Sequence, residues 1–263
     1  MEIFLDTANL EEIERWLGCG VLDGVTTNPS IMLKDGGYDL KRRAVDIARL
    51  IGPRPVSVEV TGNDPEEMME QAESFAAWAS NIVVKIPVIN EHGRPCLGVV
   101  RRLEREGIRV NLTACLSYGQ AVLGAKAGAT YVSIFAGRVA DEGGDAPGLV
   151  RAVREWLDLW GSPAKIIVGS IRSCVDVQSA AQACAHVVTV PPAFLDKFID
   201  NRYSRETVRG FNEDAARALV KMDELRAVAV RARRAASRWR AWSFWTAMGR
   251  SLRSDPICTT RNR

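Results

Sequence analysis

The chain has 263 residues, 47% hydrophobic and 25% charged, a balance that supports a sizeable core and excludes an intrinsically disordered chain. No apolar run approaches the ~18–20 residues that cross a bilayer, and the N-terminal MEIFLDTANLEEIERW is acidic where a secretory signal is basic, so a cytoplasmic protein is expected. The net charge of +3 conceals an asymmetry: from Met222 onward ten arginines face only Asp223, Glu224 and Asp255, which leaves residues 1–221 net acidic.

Short β-branched runs recur along the chain: EIFLDT (2–7), GVTTNP (24–29), VSVEV (56–60), NIVVKIPV (81–88), RVNLT (109–113), TYVSIF (130–135), KIIVGS (165–170) and HVVTVP (186–191). Between them lie segments with helical spacing, such as Leu10-Ile13-Trp16-Leu17, Met68-Ala72-Phe75-Ala76, Leu97-Val100-Leu103 and Val150-Val153-Trp156-Leu157. Near-continuous apolar strands alternating with helices imply a parallel sheet covered by helices. Eight such repeats in a chain of about 250 residues predict a (β/α)8 TIM barrel over residues 1–200. An open doubly wound sheet is the alternative, but the first strand is not followed by the GxGxxG turn of a dinucleotide fold.

After the eighth run, helices are expected at about 193–199 and 204–221, the latter forming a C-terminal helix segment over 201–221. Residues 222–263 form a basic Trp/Arg-rich extension, helical to about 248 and frayed over the last dozen residues.

Polar residues interrupt the apolar runs at their C-terminal ends, where a barrel builds its active site. Asp6 ends the first run, Thr27 and Asn28 the second, and Glu59 the third. Lys85 lies in the fourth, Asn111 and Thr113 in the fifth, Ser133 and Phe135 in the sixth, and Ser170 ends the seventh. Lys85 stands out because lysine is seldom buried without a reason. Burial disfavours the ammonium form, and the neutral amine is a nucleophile toward carbonyls. A lysine ion-paired with Asp6 or Glu59 for structural reasons fits the same spacing. Asp6 and Glu59 follow apolar residues and would enter the same interior, where two carboxyl groups can divide proton traffic. Asp6 is also placed to cap the helix beginning near Leu10. Arg138 in FAGR, with Ser170 and Arg172 in VGSIRS, offers a guanidinium fork and a turn leading into a helix, both suited to phosphate. Surface solvation is the ordinary alternative for these arginines.

The six cysteines show no CxxC and no paired spacing, and only His92 and His186 are available beside them. Reduced structural thiols are expected, and no metal site.

FLDTAN (4–9), GVTTNPSI (24–31), the Glu59 strand, VVKIPV (83–88), NLTACLS (111–117), AGATYVSIFAGR (127–138) and VGSIRS (168–173) together resemble the small transaldolase and fructose-6-phosphate aldolase-like family over about residues 1–192. The resemblance implies a class I aldolase-type barrel with Lys85 as Schiff-base nucleophile and no cofactor. It implies Asp6 as acid/base for carbon–carbon cleavage, and Glu59 with Thr113 holding a catalytic water. Asn28, Asn111 and Ser133 are similar to family positions near the dihydroxyacetone hydroxyls, and Arg138, Ser170 and Arg172 to a phosphate clamp. Glu59 and Phe135 resemble the transaldolase branch, where the aldolases have Gln and Tyr. The implied reaction passes a dihydroxyacetone unit from fructose 6-phosphate or sedoheptulose 7-phosphate to an aldose phosphate, in the pentose phosphate pathway or a specialised sugar route. Release of free dihydroxyacetone by an aldolase, or a non-catalytic barrel acting through its basic tail, are the alternatives.

Two departures accompany the resemblance. Ala114-Cys115-Leu116 stands where the family has a Leu-Val or Leu-Ile pair followed by Phe. The extension from about 222 runs past the helix after which the family usually stops, so a homo-oligomer is expected but the family's ring-like assembly is not carried over. Neither nucleic acid nor membrane is an expected partner, with 222–263 the one reservation. There Leu225, Val228, Ala232, Ala235, Trp239 and Trp242 outline an apolar stripe beside Arg231, Arg234 and Arg238. Subunit packing, or an altered reading frame that selection never shaped, is the favoured account of that stretch.

Overall fold

The structure, a computed structural model, describes residues 1–251. Each of the eight runs forms a strand: β1 (Glu2–Asp6), β2 (Gly24–Thr26), β3 (Val56–Glu59), β4 (Ile82–Pro87), β5 (Val110–Cys115), β6 (Tyr131–Phe135), β7 (Lys165–Gly169) and β8 (Val187–Val190). They pair in parallel in sequence order, and β1 pairs with β8, so the sheet closes into a (β/α)8 barrel. The helices between them are α1 (Leu10–Gly18), α2 (Pro29–Lys34), α3 (Leu40–Ile51), α4 (Pro65–Ala76), α5 (Leu97–Arg105), α6 (Tyr118–Ala127), α7 (Ala136–Asp141), α8 (Ala146–Leu159) and α9 (Cys174–Gln182), with α10 (Pro192–Ile199) following β8.

Local chemistry sets where these helices start. Asn9 caps α1, its side chain accepting from the amides of Glu11 and Glu12. Asp64 caps α4 with Pro65 in the first turn, and Ser117 with Gln120 forms a capping box at α6. Since Asn9 takes the cap of α1, Asp6 is not used there.

The main core lies between the sheet and its helices, with Leu5, Val84, Ile86, Leu112 and Ile134 from the strands packed with Ile13, Ile47, Met68, Leu103 and Leu157. Inside the barrel a second cluster of Phe4, Val83, Tyr131, Ile167 and Val187 plugs the N-terminal end. Gly24, paired in register with Phe4, makes room for this plug: a Cβ there would stand 2.7 Å from the Phe4 ring. Strand side chains alternate faces, so two residues beyond each plug residue the chain points inward again, one layer nearer the C-terminal mouth. Those positions are Asp6, Lys85, Ser133, Gly169 and Thr189.

The chain divides into two units, 1–199 and 200 onward. The second is, over its described residues, one helix of 50 residues, α11 (Arg202–Ser251). Sequence led us to expect two helices meeting near 221. No Gly or Pro occurs between Phe211 and Met248, so nothing local ends the helix there. The expected frayed end, about 252–263, lies outside the described residues. Among the described residues no helix is long and apolar enough to cross a membrane. Cys19, Cys96, Cys115, Cys174 and Cys184 are free thiols, and burial pushes the Cys115 thiol up to about 12. Cys258 lies outside the described residues.

Candidate active site

Lys85 sits mid-strand in β4 and is only 4% exposed. Its Nζ lies 3.0 Å from Glu59 Oε2 and donates to the Thr27 carbonyl oxygen at 3.0 Å. The ladder explains this proximity, because Glu59 of β3 pairs in register with Lys85, and Lys85 with Asn111 of β5. Thr27 therefore contributes its backbone oxygen; its hydroxyl donates to the Ser57 carbonyl at 2.8 Å. The ion pair agrees with the structural reading of Lys85 as well as with the catalytic one. What separates them is the surroundings, for Lys85 lines a cavity at the barrel mouth.

That cavity encloses about 170 Å³ and is lined by Asp6, Thr26, Asn28, Lys85, Ser133, Phe135, Arg138, Gly169, Ser170 and Thr189. Asp6, half-buried at the end of β1, accepts a hydrogen bond from Thr26 Oγ1 at 2.7 Å. Burial raises its pKa above the usual carboxylate value, against the opposing pull of the Thr26 hydrogen bond and of Lys85. Thr26 Oγ1 in turn lies 2.5 Å from Thr189 Oγ1. Asn28 lines the cavity while its side chain caps α2 by accepting from the Ile31 amide at 2.9 Å. A neighbouring cavity of about 250 Å³ shares Asn28 and is bounded by Thr27, Tyr38, Glu59 and Thr61, so Glu59 reaches Lys85 from that side.

Ser133 donates to Asn111 Oδ1 at 2.7 Å, and Asn111 Nδ2 donates to Ser57 Oγ at 3.1 Å. Asn111 is fully buried and not among the residues lining either cavity; it supports Ser133 from beneath. Thr113 is also fully buried, and its hydroxyl has no hydrogen-bond partner among the described residues. Such a group costs about 1–3 kcal/mol unless a bound molecule meets it.

The phosphate candidates divide. Arg138 from α7 and Ser170 just beyond β7 line the mouth. Ser170 has φ +58°, the left-handed region that a side chain enters only at a cost. Gly137 allows α7 to start against this turn, since a Cβ there would fall 2.2 Å from the Ser170 carbonyl oxygen. Arg172 does not join them. Its guanidinium forks onto both carboxylate oxygens of Asp141, with Nη2 to Oδ2 at 2.5 Å, and it lines a separate cavity of about 360 Å³ between α7, α8 and α9. The pairing holds the Asp141 carboxyl below its ordinary pKa and the Arg172 guanidinium above.

Residues not anticipated from sequence are Thr26, Thr189 and Ser57. A signal existed for them: each is a hydroxyl inside a β-branched run, and Thr189 stands two positions from the plug residue Val187. Among the described residues, no group of three or more His, Cys, Asp or Glu side chains is placed to hold a metal ion.

Comparison with known proteins decides the family. The sequence profile described as Transaldolase/Fructose-6-phosphate aldolase matches residues 3–238. The chain belongs to this transaldolase/fructose-6-phosphate aldolase family. It is 41% identical over 214 residues to a protein of Dehalococcoides mccartyi described as "Probable transaldolase", covering 81% of this chain and 97% of that one. A protein of the same description from Lactiplantibacillus plantarum is 41% identical over 214 residues, covering 81% and 96%. One from Streptococcus equi subsp. zooepidemicus is 40% identical over 216 residues, covering 82% and 98%. Family and relatives together indicate a transaldolase-type enzyme, and the lysine–carboxylate cluster at the barrel mouth is the candidate active site of this transaldolase-family barrel.

Proposed function

We propose that the chain transfers a dihydroxyacetone unit between sugar phosphates through a Schiff base on Lys85. The observation that carries this reading is the buried Lys85 amine, 3.0 Å from a carboxylate oxygen of Glu59 and lining one cavity with Asp6. The amine adds to the C2 carbonyl of a ketose phosphate such as fructose 6-phosphate or sedoheptulose 7-phosphate. Loss of water from the carbinolamine gives the imine, with Glu59 and Thr113 holding the water that moves in this step and in the final hydrolysis. Asp6 accepts the C4 hydroxyl proton as the C3–C4 bond breaks, the aldose phosphate leaves, and the imine takes up the electron pair as an enamine. The enamine then attacks an acceptor aldehyde such as erythrose 4-phosphate or glyceraldehyde 3-phosphate, and Asp6 returns the proton. The imine is itself the electron sink, so these steps need no cofactor.

Asn28 and Ser133 would meet the hydroxyls of the three-carbon unit, with Asn111 orienting Ser133 and Thr27 orienting Lys85. Arg138 and Ser170 would take the phosphate. Phe135 brings no hydroxyl to protonate the enamine, which supports transfer over release of free dihydroxyacetone. In this reading the enzyme works in the cytoplasm as a homo-oligomer in the pentose phosphate pathway. The test is glyceraldehyde 3-phosphate formation from fructose 6-phosphate with and without erythrose 4-phosphate. Formation only with the acceptor supports the transferase, acceptor-independent formation makes it an aldolase, and neither product refutes the reading for this donor.

A further inference from the structure

We infer that the stretch of α11 from Met222 to Trp242 is a docking face for an anionic phospholipid bilayer. This rests on the helix alone and is independent of the reaction proposed above. At about 100° per residue, Leu225, Val228, Ala232, Ala235 and Trp239 fall within an arc of roughly 80°. Leu225 and Val228 are about 60% exposed and Trp239 is 72% exposed. Arginines are the only charged residues on the rest of the circumference between Leu225 and Arg240, which also carries exposed Val230: Arg226, Arg233 and Arg240 flank the stripe on one side, Arg231 and Arg238 on the other, and Arg234 lies opposite. No Asp or Glu occurs from Leu225 to Arg240. Arg226 pairs with Asp223 at 3.6 Å, whereas the other five make no ion pair among the described residues.

This pattern discriminates between occupants. A nucleic acid would answer the arginines but offers no apolar sheet for Leu225 and Val228. A second copy of the helix would answer the stripe but would bring arginine against arginine along both of its edges, where paired helices place opposite charges. That argues against pairing of this helix with its own copy. A bilayer with anionic headgroups supplies both counterparts at the matching depths. Hydrocarbon lies under the stripe, phosphates are within reach of arginines whose stems lie along the apolar surface, and the boundary layer is one that tryptophan favours.

The test uses the full-length chain with vesicles of phosphatidylcholine alone and of equimolar phosphatidylcholine and phosphatidylglycerol, followed by co-sedimentation and tryptophan emission. Partition onto the anionic vesicles only, weakening as salt is raised, is expected. The R231Q/R238Q/R240Q variant, which removes arginines flanking the stripe, should partition about 100-fold more weakly, since each arginine near an anionic surface contributes about a factor of five. An unchanged far-ultraviolet circular dichroism spectrum would show that this loss is not unfolding. The inference is overturned by equal binding to neutral vesicles, by no partition of the full-length chain, or by full partition of a chain ending at Lys221. Binding to a DNA duplex, or dimerisation through this segment, without vesicle partition would likewise overturn it and assign the face to that partner.

Discussion

Lys85 Nζ and Glu59 Oε2 lie 3.0 Å apart on directly paired positions of adjacent strands, the lysine side chain 6% exposed and the glutamate 22%. Removing one member of a buried pair leaves the other charge uncompensated, at about 3–5 kcal/mol when burial is complete. Because Glu59 stays partly in water, we expect E59L to lose about 2 kcal/mol. The double variant K85M/E59L should recover most of that loss while remaining inactive. Denaturant unfolding of the two singles and the double checks this, and additive losses would contradict the coupling.

Asp6 carries a pKa raised by burial, so ionising it costs the folded state more than the unfolded chain. That cost is absent below the ordinary carboxylate value, grows as pH rises from there through the raised folded value, and is constant above it. D6N should therefore be more stable than the wild type at pH 7, by a margin that shrinks as the pH falls toward about 4 and is lost below it, and should lose transfer activity by at least about 100-fold. Thermal melts at the two pH values, beside the transfer assay, check both halves.

Arg138 and Arg172 should behave differently although both follow strand ends. A charge-assisted hydrogen bond to phosphate is worth about 1.5–3 kcal/mol. R138A is therefore expected to lower kcat/KM for a phosphorylated donor by about 10- to 100-fold. R172A, whose guanidinium is held by Asp141 outside the mouth cavity, should change it by less than about 3-fold. Equal losses would put Arg172 on the phosphate as well.

G137A places a methyl carbon 2.2 Å from the backbone carbonyl oxygen of Ser170. The turn at Ser170 must move, at a cost of about 1–3 kcal/mol. A fall in Tm of several degrees and a raised KM for phosphorylated donors should appear together. G98A, with open space around the new methyl group, is the matched control.

Much of this architecture was legible in the sequence, for physical reasons. In the barrel both sheet faces are buried, so each strand reads as an uninterrupted apolar run, and Lys85 in VVKIP or Asp6 after IFL stands out as an interruption. Other features were not legible because they depend on through-space neighbours. Asp141 lies 31 positions from Arg172, so nothing local tells that it takes the guanidinium. Thr27 reads as a side-chain ligand but serves through its carbonyl, because its hydroxyl is taken up by the Ser57 carbonyl. Asn111 shares the inward parity of Thr113, yet its two hydrogen bonds to Ser57 and Ser133 place it beneath the mouth.

The central claim is that Lys85 bonds covalently to the ketose, and borohydride reduction in the presence of fructose 6-phosphate tests it most directly. The expected result is irreversible inactivation with a reduced three- or six-carbon adduct on the peptide containing Lys85, and no adduct on K85R. Full activity after reduction, or an adduct on another lysine with Lys85 unmodified, would contradict the account.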